Sequence, residues 1–441
     1  MLEKMDLERV FKAARQAGYV DTEVYAETRT QARVEFRDRI EDVRCATIRG
    51  LSLRCFDGQF TRQFFTHRID TGGLLEVLGA SGGVTADSAE SLLPNALQPA
   101  GLPDRVSRLS ALFKGTLLGP GDAIRHPVLT FEENVKYFEV AHDPKSLRGG
   151  VEETAELSIS WLVGQEKRLH TFERCGTSIE GLLRELGSPD LAAAVRRSAA
   201  SVAPWPAPQG EIPILWSARA LSKIQLQFLR AFEGDLVLGN LSFLTELPLP
   251  VSLPFAVEDR PDTDRLACDN EGSPRRPVTV FNQGRPKALA CNNRIARQLA
   301  VASTGHCRRQ SFQTAPTVGF WNPRVVAHRT EDRPESALDW GLSVRDVDVV
   351  DHDLATGEIT LRLRETYLVH QGEEGEPVES VVIRANLIDL LERLEEFSVE
   401  SETVGLRVTK NQQRFITEVS TPRARSRPLP IPGTVPPSHY W

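Results

Sequence analysis

The stretch Gln31-Ala32-Arg33-Val34-Glu35-Phe36-Arg37 sets an apolar residue at every second position between charged or amide ones. That is the period of a strand with one buried and one wet face. The same period returns at Leu51, Leu53 and Cys55 after Gly50, so Thr22 to Phe65 reads as an antiparallel meander. Ahead of it, Leu7, Val10, Phe11, Ala14 and Ala17 recur at helical spacing and Gly18 ends the run, which supplies a helix to cover the apolar face.

Outward from this meander, Asp70 to Leu109 loses periodicity among Gly, Ser and Pro and reads as a linker or mobile loop. Strand-like stretches follow at Val135 to Ala141, Glu156 to Val163 and Arg168 to Arg174, then helices at Ser178 to Leu186 and Pro189 to Ala200. Beyond Pro204, Pro206 and Pro208, a strand at Ile212 to Trp216 leads into a helix at Ala218 to Phe232. β-Branched alternation then dominates, with Val278 to Asn282, a pair formed by Ile359 to Leu363 and Thr366 to His370, and a late helix at Ala385 to Phe397. Glu373-Glu374-Gly375-Glu376 reads as a solvated hairpin tip. Thr421 to Trp441 holds six prolines, three arginines and no acid, and reads as a flexible or draped tail.

The expected class is α+β: an N-terminal antiparallel sheet with packed helices, a central α/β region, and a β-rich C-terminal domain with few helices. The expected borders are 1–75, a linker at 76–109, a central unit at 110–208, a C-terminal domain at 209–432 and a Pro-rich tail at 433–441.

Composition removes several functions. The 441 residues carry 53 Lys+Arg against 60 Asp+Glu, a net charge of −7, which gives no electrostatic reason to expect nucleic acid. The nearest histidines, His126 and His142, are too far apart for one helix to offer two imidazoles to a metal, which excludes the HExxH zincins. The nearest cysteines, Cys45 and Cys55, form no CxxC, so zinc ribbons and thioredoxin-like sites are excluded too. Six scattered cysteines and the absence of a basic start with an apolar h-region predict a cytoplasmic protein without disulfides. No apolar run approaches the ~20 residues of a membrane span.

Several segments taken together resemble the TldD/PmbA family, known as modulators of DNA gyrase and as peptide-processing metalloproteases. Glu23-Val24-Tyr25-Ala26-Glu27, Arg37-Asp38-Arg39-Ile40-Glu41-Asp42-Val43 and Arg49-Gly50-Leu51-Ser52-Leu53-Arg54 are similar to its N-terminal pattern. Glu233-Gly234-Asp235, Cys268-Asp269-Asn270-Glu271-Gly272 and Ser303-Thr304-Gly305-His306-Cys307-Arg308-Arg309 are similar to its C-terminal one. In TldD-type members the resemblance implies an HExxxH helix before Glu-Gly-Asp: two zinc-binding histidines and a glutamate base, with a cysteine near the C-terminus as a further ligand.

Here the histidine positions fall on Gln225 and Arg230 and the glutamate on Leu226, and Val404-Gly405-Leu406-Arg407-Val408 offers no cysteine. No histidine occurs between His170 and His306, so no small shift of alignment restores the motif. An amide, a leucine and a guanidinium neither hold zinc nor take a proton from its water. The resemblance therefore implies a TldE/PmbA-like, metal-free subunit, with zinc expected in a TldD-type partner. The two would form a heterodimer or higher heteromer acting on unfolded or leader peptides. The alternatives are an autonomous metallopeptidase with a non-standard site, or a homodimeric peptide-binding scaffold without proteolysis.

Within the chain, Ser303, Thr304 and Gly305 form a turn able to present backbone N–H groups, and Arg308 and Arg309 offer forked donors for a peptide carboxylate or carbonyls. The bland alternative is a solvated basic turn. His306 beside Cys307 suggests a nucleophile pair, but neighbours on a strand point to opposite faces. Asp269 and Glu271, with Gly272, form an acidic turn that suits either a substrate groove or a solvated rim.

Overall fold

The computed structural model describes residues 1–37, 40–79, 99–117, 124–163, 168–186, 191–195, 204–246, 250–261 and 266–432. The expected meander is present as β1 (Asp21–Arg37), β2 (Ile40–Phe56) and β3 (Thr61–Thr66). It does not stand alone. β4 (Ile124–Ala141), β5 (Leu147–Val163) and β6 (Arg168–Gly176) join it in one antiparallel sheet ordered β3-β2-β1-β4-β5-β6. β1 pairs with β4 from Val24 opposite Ala141 to Arg37 opposite Val128. The segments 1–75 and 110–208 are therefore halves of one sheet, because β1 and β4 satisfy each other's backbone.

Alternation decides what each face of that sheet does. Val24, Ala26, Leu51 and Leu53 meet Leu7, Val10, Phe11 and Ala14 of α1 (Leu7–Gln16), whose N-terminus is capped by Asp6 accepting from Arg9 N at 3.0 Å. Further along the same sheet, Val34, Phe131, Ile159 and Trp161 pack on α3 (Leu102–Leu112) and α4 (Ile179–Leu186). α2 (Thr71–Gly79) lies inside the region Asp70 to Leu109 read as a linker or mobile loop, and α3 begins in it. Leu102 and Leu109 fall on one helical face and are buried, and Pro103 sits in the first turn, where its missing N–H costs nothing. Residues 80–98, and most of the helix expected at Pro189 to Ala200, lie outside the described residues, of which 191–195 are helical (α5).

The C-terminal half is a second sheet wrapped on one helix. β7 (Gln209–Trp216) leads through the Ser217 cap into α6 (Ala218–Arg230), then α7 (Gly234–Leu238). β8 (Phe255–Asp259), β9 (Val278–Asn282) and β10 (Arg285–Pro286) precede α8 (Asn293–Gln298), and β11 (Cys307–Arg308) pairs with β12 (Thr317–Val318). There follow β13 (Pro323–Ala327), β14 (Thr330–Glu331), β15 (Trp340–Asp353), β16 (Glu358–His370), β17 (Glu373–Val378) and β18 (Val381–Asn386). After α9 (Leu387–Glu392), β19 (Leu394–Lys410) and β20 (Gln413–Pro432) close the chain. The main path of the sheet runs β10-β9-β8-β13-β20-β7-β15-β16-β17. Trp216, Leu221, Ile224, Phe228, Phe232, Phe255 and Phe281 form its core.

Three expectations change here. Ile359 to His370 is one strand, not a hairpin: Glu365 sits at φ 46° and flips the burial phase between Leu363 and Thr366. The late helix is confined to α9, with strands on both sides. Glu373 to Glu376, by contrast, are exposed at the hairpin end of β17, as expected of a solvated tip, and Glu374 accepts from Ser343 Oγ at 2.6 Å. Residues 421–432, read as part of a tail, are sheet. β19 pairs with β20 only as far as Ser426, so Pro428, Pro430 and Pro432 leave their missing donors on an unpaired side. Residues 433–441 lie outside the described residues. The α+β class stands.

Candidate functional site

α6 is buried nearly all round, as a helix central to a sheet must be. Ser217 Oγ accepts from Ala220 N at 3.0 Å and fixes its start. Gln225 is 1 % exposed, and among the described residues neither atom of its amide finds a hydrogen-bond partner. Leu226 packs with Ala218, Val404, Leu406 and Val419 in a small aliphatic cluster. Arg230 Nη1 donates to His352 Nε2 at 3.1 Å, and burial followed by the Arg230 charge lowers the His352 pKa. The structure thus brings Leu226 against Val404 and Leu406 in a hydrocarbon contact, while Arg230 of the same helix makes an arginine–imidazole hydrogen bond to His352 on β15. These donors do not fit a zinc ion, which takes imidazole, thiolate or carboxylate ligands. Among the described residues no group of three His, Cys, Asp or Glu could hold a metal.

A 320 Å³ cleft opens beside this helix, lined by Lys223, Leu226 and Gln227 of α6, Cys175 of β6 and Gly405 and Arg407 of β19. Lys223 bonds Asp346 at 2.6 Å and Arg407 bonds Glu156, so its walls are ion-paired. Gly405 is required by close approach, since a Cβ there would overlap the Cys175 carbonyl oxygen. Burial pushes the Cys175 thiol up to about 12.

The Glu233-Gly234-Asp235 segment is clasped from a distance. Lys410 Nζ, at the end of β19, donates to Glu233 Oε2 at 2.7 Å, Asp235 Oδ1 at 2.8 Å and Val318 O at 2.9 Å. Burial raises the Glu233 pKa, against the pull of Lys410. A side chain at Gly234 would press on Cys291 Sγ at 2.8 Å. Nothing in the sequence flagged Lys410, 175 residues from its partner.

The two C-terminal segments meet and are buried. Asp269 Oδ1 accepts from Glu271 N at 3.0 Å and Ser273 N at 2.8 Å, and Oδ2 accepts from Cys307 N at 3.0 Å. Burial and the neighbouring Glu271 charge still push Asp269 up to about 7. Gly272 (φ 72°) and Gly305 (φ 73°) occupy the left-handed region that these turns need. Asn270 Oδ1 accepts from Arg309 N at 2.7 Å. His306 Nε2 lies 2.8 Å from Asp259 Oδ2, and its Nδ1 lies 2.9 Å from Thr304 Oγ1. Cys307 is fully buried with a thiol pKa raised well above normal, so His306 and Cys307 form no nucleophile pair.

These segments lock the two sheets together. Arg54 Nη2 bridges Glu23 at 2.7 Å and Glu271 at 2.5 Å, and Arg309 Nη2 reaches Glu23 at 2.5 Å while its guanidinium stacks 4.2 Å over Tyr25. Burial alone would raise Glu23, yet the two guanidinium groups hold it down at about 2. The solvated basic turn and solvated acidic rim considered above are thus overturned: Asp269, Glu271, His306, Arg308 and Arg309 are each 3 % exposed or less. Ser303 and Thr304 are half-buried, and Ser303 Oγ donates to Cys291 O at 3.4 Å.

The architecture is shared with solved structures. TldE from Thermococcus kodakarensis superposes with a TM-score of 0.71 at 13% identity, covering 96% of this chain and 99% of that one. A proposed modulator of a DNA gyrase from Thermotoga maritima gives 0.73 at 16% identity, over 96% and 98%. A corresponding protein from Bacteroides thetaiotaomicron gives 0.72 at 14% identity, over 97% and 98%. A family model described as the PmbA/TldA metallopeptidase C-terminal domain matches residues 209–429, and the chain belongs to this TldD/PmbA family. Among curated relatives, the metalloprotease TldD homolog of Haemophilus influenzae is 22% identical over 55% of this chain and 52% of its own length. That of Buchnera aphidicola is 22% identical over 38% and 36%. The chain thus spans about half, or less, of the curated relatives it matches.

Proposed function

We propose that this chain is the TldE/PmbA-like, metal-free subunit of a heteromeric zinc metalloprotease that processes peptides. It contributes part of the peptide channel and the subunit interface. A TldD-type partner supplies the zinc, the glutamate base and the hydrolysis of unfolded or leader peptides. The observation that carries this reading is Leu226: where a catalytic helix needs a carboxylate next to a metal, this helix buries a leucine against Val404 and Leu406. A hydrocarbon contact cannot polarise a carbonyl or accept a proton, so the chemistry must come from elsewhere.

The buried Asp269–Glu271 and His306–Arg309 segments then hold the channel walls in register, and Ser303 and Thr304 are the substrate-facing part of that motif. Six free thiols suit a cytoplasmic site of action. Among the described residues no helix is long and apolar enough to cross a membrane. The test is affinity capture of the tagged full chain from its own cells, followed by peptide hydrolysis by the eluate. The expected result is a co-eluting chain with HExxxH followed by Glu-Gly-Asp, and hydrolysis that needs both chains. Capture of a stable homodimer that ignores such a sibling would overturn it.

A further inference from the structure

Among the described residues, several buried polar atoms without hydrogen-bond partners gather at one place. A 200 Å³ cavity lies between β1, β4 and β5 on one side and the Arg308 to Gln310 segment and β20 on the other. Five unpartnered buried atoms belong to residues lining it: Arg29 Nε, Asn134 Oδ1, Arg308 Nε, and Arg309 Nε and Nη1. Arg29 Nε has Glu27 Oε1 at 3.7 Å, beyond hydrogen-bond reach.

Arg308 is the most exacting of these. Its Nη groups donate to Phe320 O at 2.7 Å and Ile416 O at 3.0 Å, its plane stacks 3.8 Å from Trp321, and among the described residues no carboxylate lies within ion-pair distance. Burial lowers its pKa to about 10. A buried guanidinium held only by carbonyls lacks the counter-charge that ordinarily offsets its desolvation. The lining carries five cationic side chains, with Lys136 and the exposed Arg414, against three carboxylates. Each carboxylate is already engaged: Glu132 with Arg33 at 2.8 Å, Glu152 with Lys136 at 3.0 Å, and Glu156 with Arg407. Three of the cations are engaged as well, Lys136 with Glu152, Arg309 through Nη2 with Glu23 at 2.5 Å and Arg29 with Glu27 at 3.7 Å, so the uncompensated charge rests on Arg308 and the exposed Arg414. The unpartnered N–H groups of Arg29, Arg308 and Arg309 are left to a ligand.

We propose that this cavity binds a small oxyanion, a carboxylate or a phosphate, through the guanidinium groups of Arg29, Arg308 and Arg309. Asn134 Oδ1 accepts from a donor on the same ligand. At 200 Å³ the space has room for phosphate or a small amino acid. Its walls come from both sheets, so an occupant ties the N-terminal sheet to the C-terminal half. The proposal is independent of the peptidase reading.

The test is thermal unfolding of the full chain with inorganic phosphate, with glycine, and with sodium chloride at matched ionic strength. Phosphate or glycine should raise the melting temperature saturably where chloride does not, and the arm that responds identifies the source of the oxyanion. Arg29→Gln should weaken the response at least tenfold in ligand concentration, and so should Asn134→Leu. Arg29 Nη1 donates to Gln310 O at 3.4 Å, so each variant's ligand-free melting temperature is measured first and the response is read relative to it. No rise beyond chloride with either ligand would overturn the proposal. So would an undiminished response in Arg29→Gln, or a high-resolution structure in phosphate showing only water among the three guanidinium groups.

Discussion

Replacing Lys410 by Met keeps the side chain's length and removes its charge from beneath Glu233 and Asp235. Lys410 and Glu233 are 7 % and 3 % exposed at their side chains, so water screens little of what is lost. Removing one partner of such a pair costs about 3–5 kcal/mol, because the other is left buried and uncompensated. For a cooperative unit of roughly 200 residues that corresponds to a fall of about 10 °C in melting temperature.

The pH dependence has a definite sign. Burial already raises the folded Glu233 pKa above its ordinary 4.5, and losing Lys410 raises it further. A carboxyl whose folded pKa is raised binds its proton more tightly folded than unfolded, so stability falls as pH rises from the unfolded value through the folded one. Lys410→Met should therefore be least harmful near pH 4.5 and most harmful at pH 7 to 8. Melting curves of parent and variant from pH 4.5 to 8 measure this. A variant melting within 2 °C of the parent at pH 7.5, or a deficit that does not grow with pH, would refute the reasoning.

Other perturbations probe other parts of the structure. Leu226→Glu buries a carboxylate among Ala218, Val404, Leu406 and Val419; it should cost about 3 kcal/mol or more at neutral pH, visible in chemical denaturation. Gly405→Ala drives a methyl into the Cys175 carbonyl and should separate β19 from β6, detected as faster amide exchange at both strands. Asp269, pushed up to about 7 when folded against an ordinary 3.8, contributes stability below pH 4 that is lost as pH rises through about 7. Asp269→Asn should flatten the stability profile across that window even though it lowers stability overall. The buried thiols have raised pKa values, with Cys55, Cys268 and Cys291 at about 11, so native alkylation at pH 8 should be far slower than in denaturant.

Local periodicity was enough to read β1, β2, α1 and α6, since each buries one face and its apolar residues fall at the matching spacing. Glu365 misled because a residue at positive φ flips the phase of alternation, which in a sequence looks like two strands. The prolines of 428–432 misled because their tolerance depends on where β19 ends, a fact of the third dimension. The candidate site was legible only as separate motifs. Asp269 and Cys307 share a hydrogen bond across 38 residues, and Arg54 reaches Glu271 across 217. No spacing rule connects them, and the burial that turns charged motifs into a joint between two sheets is invisible before the sheets are placed. The helix motif could be read from its own residues, since Gln225, Leu226 and Arg230 differ in chemistry from the metal-binding pattern that the family resemblance implies.

The central claim, that catalysis is not resident in this chain, is tested most directly by metal analysis. The purified full-length protein is equilibrated with excess zinc, dialysed, and its zinc-to-chain ratio measured. The account predicts a ratio near zero. A stable ratio of one zinc per chain, retained through dialysis, would contradict it.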